Sequence, residues 1–128
     1  SIFFSLEKIN MSLQQLTKAN CFLIKKILSR YYKKKISIKP PNDLLVNKKK
    51  ICGILQETLK KANTTYFIVG VGINLIKSPY IKNYQTTNLL ELTKIKVNKT
   101  KIILELKSIY EEFINQFSKL NLKAVKNL

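Results

Sequence analysis

Lys39, Asn42 and Asp43 put an ammonium, a carboxamide and the chain's sole aspartate within five residues, across the Pro40-Pro41 pair. Held by that rigid bend, the three groups could bind a phosphate or the metal ion that travels with it. Pro-Asn-Asp by itself is an ordinary turn, because Asn and Asp side chains bond their own backbone. A second stretch bears on the choice. In Thr65–Leu75, Phe67, Val69, Val71, Ile73 and Leu75 share one face of an extended chain, and Ile68, Gly70, Gly72 and Asn74 share the other. The first face is solid apolar surface. The second is nearly bare and ends in an amide. Glycine weakens a strand, so two at alternate positions point to something that approaches the backbone closely, a packed helix or a ligand. Asn74 at the end of the bare face favours the ligand.

The elements that must position these groups are legible from periodicity. Residues 12–32 read as an amphipathic helix, with Leu13, Leu16, Leu23, Ile27 and Tyr31 as its stripe and Ser12-x-x-Gln15 as a capping box. Lys33-Lys34-Lys35 follows its last turn, where positive charge meets the negative helix end. Two short β runs, Ile36–Lys39 and Leu44–Asn47, flank the prolines, which cannot donate to a sheet ladder and so force a bend. Asn47-Lys48-Lys49 reads as a hairpin turn, Lys50–Glu57 as the returning strand, and Lys60–Thr64 as a polar loop. After the Thr65–Leu75 strand come a polar loop over 76–86, a short helix over Thr87–Thr93 and a long amphipathic helix over 99–121. The stripe of that last helix is Ile102, Ile103, Leu106, Tyr110, Phe113 and Phe117. The order predicts an α+β fold: a mixed, largely antiparallel sheet with helices packed on one side.

Composition sets limits. The chain has 128 residues and 45% hydrophobic content, enough for one domain with a modest core. Its most apolar stretch, Phe67–Ile76, is about half the roughly 20 residues of a spanning helix, so no membrane segment is expected. The start lacks Met and a basic n-region, which reads as a piece of something longer rather than as a signal peptide. Cys21 and Cys52 lie far apart and there is no histidine, so neither a zinc site nor a histidine triad is expected. Two reduced cysteines of a cytoplasmic protein are expected. The net charge of +17 would suit a nucleic acid, a nucleotide or an acidic protein. Arg30 is nevertheless the only arginine and the lysines are scattered, whereas nucleic-acid readers favour arginine for bidentate contacts.

One combination of motifs is more specific. Lys39-Pro-Pro-Asn-Asp-Leu-Leu-Val-Asn-Lys-Lys-Lys50-Ile-Cys-Gly53-Ile-Leu55-Gln-Glu57 resembles the pattern K-W-P-N-D-(apolar)-x₅-K-(apolar)-(small)-G-I-L-x-E of bacterial biotin–protein ligases. Val69-Gly70-Val71-Gly72-Ile73-Asn74 resembles that family's (I/V)-G-(I/V/A)-G-I-N, and Thr86-Thr87-Asn88-Leu89 weakly resembles its A-T-S-L. The likeness runs from about residue 2 to about residue 121, with order and spacing preserved.

The resemblance implies an ATP-dependent biotin–[acetyl-CoA-carboxylase] ligase. Biotin and ATP give biotinoyl-AMP and pyrophosphate, and biotin then passes to a lysine of a biotin carboxyl carrier protein, with no covalent enzyme intermediate. Biotin, ATP and Mg²⁺ are the implied ligands, with neither zinc nor haem. By position, Lys50 is the implied catalytic residue, beside the biotin carboxylate and the adenylate phosphate. Gly53, Leu55, Gly70 and Gly72 join Lys50 as biotin contacts. In an ideal strand Lys50 and Gly53 point to opposite faces, so the glycine is expected to act through its backbone. Asn74 is implied to bond adenine. Lys39, Asn42 and Asp43 are implied to serve the phosphates, with Asp43 toward Mg²⁺, either directly or by holding the strand pair.

Departures accompany the likeness. Pro40 stands where the family has Trp, Lys48 where a turn glycine is common, and Asn88 where A-T-S-L has Ser. The family's glycine- and arginine-rich biotin loop would fall just upstream of a strand resembling Ile2–Leu6, and neither a DNA-binding domain nor a small C-terminal β-barrel is in the chain. Residues 1–128 are therefore read as the central part of a catalytic domain, a fragment expected to be inactive alone, with a homodimer left open. A lipoate–protein ligase, a basic non-catalytic RNA-binding domain and a degenerate ligase are the competing readings.

Overall fold

Ser12 opens the first helix as its spacing predicts: the Ser12 hydroxyl accepts from the Gln15 N–H, and Gln15 Oε1 accepts from the Ser12 N–H at 2.9 Å. The computed structural model describes residues 2–5, as backbone, and residues 11–117. In chain order the elements are β1 (Ile2–Ser5), α1 (Leu13–Leu28), β2 (Ser37–Lys39), β3 (Asp43–Val46), β4 (Lys49–Lys61), β5 (Thr64–Ile73), α2 (Leu89–Thr93) and α3 (Lys99–Gln116). The strands form one sheet in the order β1-β5-β4-β3-β2. Every strand pairing among the described residues is antiparallel, in keeping with the largely antiparallel sheet expected. The one parallel contact among the described residues is an isolated bridge between Lys50 and Thr86.

Several boundaries move. Helix α1 stops at Leu28 rather than residue 32, and Lys33 Nζ reaches back to the Ser29 carbonyl at 3.1 Å, as positive charge at a helix end should. Leu13, placed on the apolar stripe, is exposed; Leu16, Ile24, Ile27 and Leu28 carry the buried face. The expected loop at Lys60–Thr64 shrinks to Ala62-Asn63. Both residues have positive φ (51° and 65°), which lets β4 and β5 continue to the turn as one long hairpin. Asn47 and Lys48 make the same kind of turn between β3 and β4 (φ 50° and 65°), so Lys48 does occupy a position that glycine would suit. In α3, Ile103 is exposed and Ile109 takes its place in the core. The expected continuation of α3 to residue 121, and of the first strand to Leu6, falls outside the described residues.

One face of the sheet packs on the helices. Leu44 and Val46, Ile51, Cys52 and Ile54, and Phe67 and Val69 bury against Leu16, Ile24 and Ile27 of α1 and Ile102, Ile109, Tyr110 and Phe113 of α3. A polar network runs through this layer. Asn20, 1% exposed, donates to Gln56 Oε1 on β4 and accepts from the Tyr110 hydroxyl on α3 at 2.7 Å, while Gln56 Nε2 donates to Thr17 on α1 at 3.2 Å. With all partners present, such a network fixes the helices in one register over the sheet. A second tie joins the end of α1 to α3: Arg30 pairs with Glu105 at 2.7 Å and the Tyr31 hydroxyl bonds its other oxygen. Burial works against the Glu105 carboxylate, but the Tyr31 and Arg30 hydrogen bonds outweigh it and hold its pKa below the usual range. Both cysteines are free and buried, and burial pushes the Cys52 thiol up to about 12.

Replacing Tyr110 by Phe keeps the ring and strands the buried Asn20 oxygen. Tyr110→Phe should therefore lower the unfolding free energy by about 1–3 kcal/mol in urea titrations.

Candidate functional site

The opposite face of the sheet is open, and a β-bulge decides what stands on it. Pairing between β3 and β4 runs Asp43↔Gly53, Leu44↔Cys52, then Leu45↔Lys50, with Ile51 as the extra residue. A bulge resets the alternation of side chains. Ile51 and Cys52 both enter the core, at 0% and 1% exposed, and Lys50 and Gly53 both turn to the open face. The ideal-strand expectation that these two point apart is thus corrected.

On that face Lys50 lies across Gly53. A Cβ at Gly53 would sit 3.1 Å from both Cε and Nζ of Lys50, closer than side chains ordinarily approach. The ammonium ends 3.2 Å from Asp43 Oδ1 in a partly sheltered ion pair. Gly53 pairs with Gly72, and Leu55 with Gly70, so the three glycines of the chain meet on two adjoining strands. None has positive φ, so backbone freedom does not explain them. At Gly72 an added Cβ would meet only the Gly53 carbonyl oxygen, at 3.7 Å. Nothing among the described residues requires glycine there. Leu55 stands beside this floor 61% exposed, an apolar wall on the open side.

Asn42, Asp43, Lys50, Gly53, Leu55, Gly70 and Gly72 line one open cleft of about 470 Å³. Larger clefts of about 670 and 570 Å³ open between the end of β5 and α3, but they contain neither the Asp43–Lys50 pair nor any glycine. The structure therefore brings together seven of the nine residues singled out from sequence and leaves Lys39 and Asn74 at the margin. Asn42 acts as a clamp: its Nδ2 donates to the Ile54 carbonyl at 2.7 Å and its own carbonyl accepts the Ile54 N–H at 2.9 Å. The β3–β4 ladder thereby continues one residue beyond Asp43. Lys39 pairs with Asp43 across β2 and β3, and its ammonium lies 4.5 Å over the Tyr84 ring. Asn74 donates through Nδ2 to the carbonyls of Lys50 (3.3 Å) and Thr87 (3.0 Å), which orients the amide and leaves Oδ1 free of both bonds.

Sequence reasoning missed Tyr84, a loop residue with no pattern to mark it. It also assigned no role to Thr86-Thr87-Asn88, although Thr87 and Asn88 are buried polar residues. No group of three or more His, Cys, Asp or Glu residues among those described could hold a metal ion. Asp43 is a single carboxylate already paired with Lys50, so these residues do not build a resident Mg²⁺ site.

Comparison with known proteins gives this arrangement a setting. Residues 1–74 match the family model described as Biotin/lipoate A/B protein ligase family. The chain is similar to the apo biotin protein ligase of Aquifex aeolicus, with TM-score 0.70, 25% identity, and 91% of this chain and 52% of that one covered. The structure of that ligase in complex with biotin and ATP gives TM-score 0.70 and 24% identity, covering 91% of this chain and 50% of that one. LipL1 of P. falciparum, in complex with lipoate, shares the fold at TM-score 0.56 and 19% identity, covering 84% of this chain and 32% of that one. The chain spans about half the length of the biotin ligases it matches.

Because the end of a lysine side chain can move where backbone cannot, Gly53→Ala should fold with a melting temperature near that of the parent. It should also displace the ammonium from Asp43. A crystal structure of the variant with Lys50 Nζ still 3.2 Å from Asp43 would contradict this account.

Proposed function

This chain belongs to the biotin/lipoate A/B protein ligase family, and on that premise we propose that it joins biotin to ATP and passes the biotinoyl group to a lysine of a biotin carboxyl carrier protein. The observation that carries the reading is the Lys50 ammonium, laid over Gly53 against Asp43 at the edge of a bare glycine floor. Residues 1–128 are taken as part of one catalytic domain.

In the first step a biotin carboxylate oxygen attacks the α-phosphorus of ATP, the bond to the β-phosphate oxygen breaks, and pyrophosphate leaves. In the second, the amine of the carrier lysine attacks the acyl carbon, AMP leaves, the nitrogen gives up a proton to water, and an amide forms. Lys50 offsets negative charge on the carboxylate and α-phosphoryl oxygens in the first step and on the departing AMP in the second. Gly53, Gly70 and Gly72 give the flat floor on which the bicyclic body of biotin would rest, and the exposed Leu55 supplies its apolar wall. Asp43 holds the ammonium in place before the substrate arrives, and Asn42 holds Asp43's strand. Lys39 offers a second cation for the phosphates. Asn74 Oδ1 would accept from the adenine amino group. Mg²⁺ would arrive with ATP, its phosphates and water supplying most ligands, and Asp43 contributes at most one.

Lipoate is the second reading, favoured by the breadth of the family and by the likeness to LipL1. Its acyl-adenylate chemistry would use the same lysine. The free, buried cysteines fit a reducing compartment, so the reaction is assigned to the cytoplasm. No helix among the described residues is long and apolar enough to cross a membrane.

Two measurements on the full-length protein test the proposal. Incorporation of labelled biotin and labelled lipoate into carrier domains should show biotin transfer; labelling by lipoate alone would overturn the substrate assignment. Lys50→Ala should slow biotin-dependent exchange of pyrophosphate into ATP by about 100-fold or more, with unchanged circular dichroism. Near-normal exchange would remove Lys50 from the mechanism.

A further inference from the structure

The regular pairing of β4 with β5 ends at Cys52↔Ile73, so the peptide groups of Lys50 lie outside that ladder. A different segment takes up those groups. The Lys50 N–H donates to the Gln85 carbonyl at 2.8 Å, and the Lys50 carbonyl accepts the Thr87 N–H at 2.9 Å. Asn74 closes the arrangement. Its Nδ2 donates to the Lys50 carbonyl and to the Thr87 carbonyl, its N–H donates to the Ile51 carbonyl at 2.9 Å, and its own carbonyl accepts the Leu89 N–H at 3.0 Å. One asparagine thus ties together both residues of the bulge, the 85–87 segment and the start of α2.

We infer that Asn74 is a positioning residue for Lys50, fastening the 85–87 segment to the lysine's own backbone so that the ammonium is delivered over Gly53. The inference rests on the reading of Lys50 as the catalytic residue. A lysine is a flexible four-carbon stem, and its head is placed only as well as its root. Here the root sits at a bulge, and its N–H and carbonyl are bonded by the 85–87 segment rather than by β5. Thr87 and Asn88 are buried polar residues in the segment that replaces the sheet: the Asn88 side chain caps α2 by accepting the Glu91 N–H at 2.8 Å and donates to Ser78 at 2.8 Å. The far side of the same loop is tied to β2 where Tyr84 meets Lys39. Removing the Asn74 amide takes a bond from each of two carbonyls, leaves the Lys50 carbonyl only its bond from the Thr87 N–H, and loosens the bulge without touching the lysine side chain.

A double-mutant cycle on the full-length protein tests the inference: wild type, Asn74→Ala, Lys50→Ala and the double variant, each in single-turnover biotinoyl-AMP formation across a range of ATP concentrations. Asn74→Ala should lower the maximal rate about tenfold in the parent and by less than about twofold in the Lys50→Ala background. Equal fractional losses in both backgrounds would overturn the inference, as would a rise in the half-saturating ATP concentration with the maximal rate unchanged, the mark of an adenine contact alone. Near-normal turnover by Lys50→Ala would instead overturn the reading of the site itself, and the inference with it. If Asn74→Ala fails to fold, Asn74→Ser serves in the same cycle, because its hydroxyl is too short to span both carbonyls.

Discussion

A single extra residue in β4 sets the geometry of this protein's open face. Without the bulge at Lys50–Ile51, strict alternation would send Lys50 and Gly53 to opposite sides of the sheet. With it, Ile51 and Cys52 both enter the core, and Lys50 returns to the side of Asp43, Gly53 and Gly72. The ion pair, the lysine bed over Gly53 and the adjoining glycine floor all follow from that shift. Hydrophobic burial stabilises it, since two consecutive buried residues in one strand are compatible with a single apolar face only where the register slips.

The two faces of the sheet divide the work. The helix side is closed by aliphatic packing and by the Asn20–Gln56–Tyr110 network, whose partners are distributed over α1, β4 and α3. Gln56 and Leu55 are neighbours in β4, one bonded into that network and the other exposed on the open side. Rigidity behind the strand is what lets an exposed face be precise, because a floor of glycines has no side chains to stiffen it. Asn42 adds to this from the β3 end by bonding Ile54 through both side chain and backbone.

Net charge proved a poor guide. The +17 is spread over nearly every segment, yet the cleft is organised by one lysine, one aspartate and neutral groups. Local pairing and the approach of backbone, rather than total charge, single out this face among the clefts of the molecule. That conclusion also weakens the RNA-binding alternative, which would draw on the spread of lysines and leave the glycine floor without a purpose.

The sequence by itself determined much. Periodicity marked both long helices, the hairpin strands and the capping box at Ser12, because burial of one stripe or one face writes itself into composition. The resemblance of its motifs to a known family singled out Lys39, Asn42, Asp43, Lys50, Gly53, Leu55, Gly70, Gly72 and Asn74, and the broader biotin/lipoate family matches the chain. What only the tertiary structure decided was orientation. The bulge, the two-residue turn at Ala62-Asn63, the exposure of Leu13 and Ile103, and the docking of residues 85–87 on Lys50 all depend on pairing between segments distant in the chain. A pattern with period two records which residues alternate, but not where the alternation skips. That skip is set by what the partner strand and the core will accept, and here it turns a lysine and a glycine three residues apart into one surface.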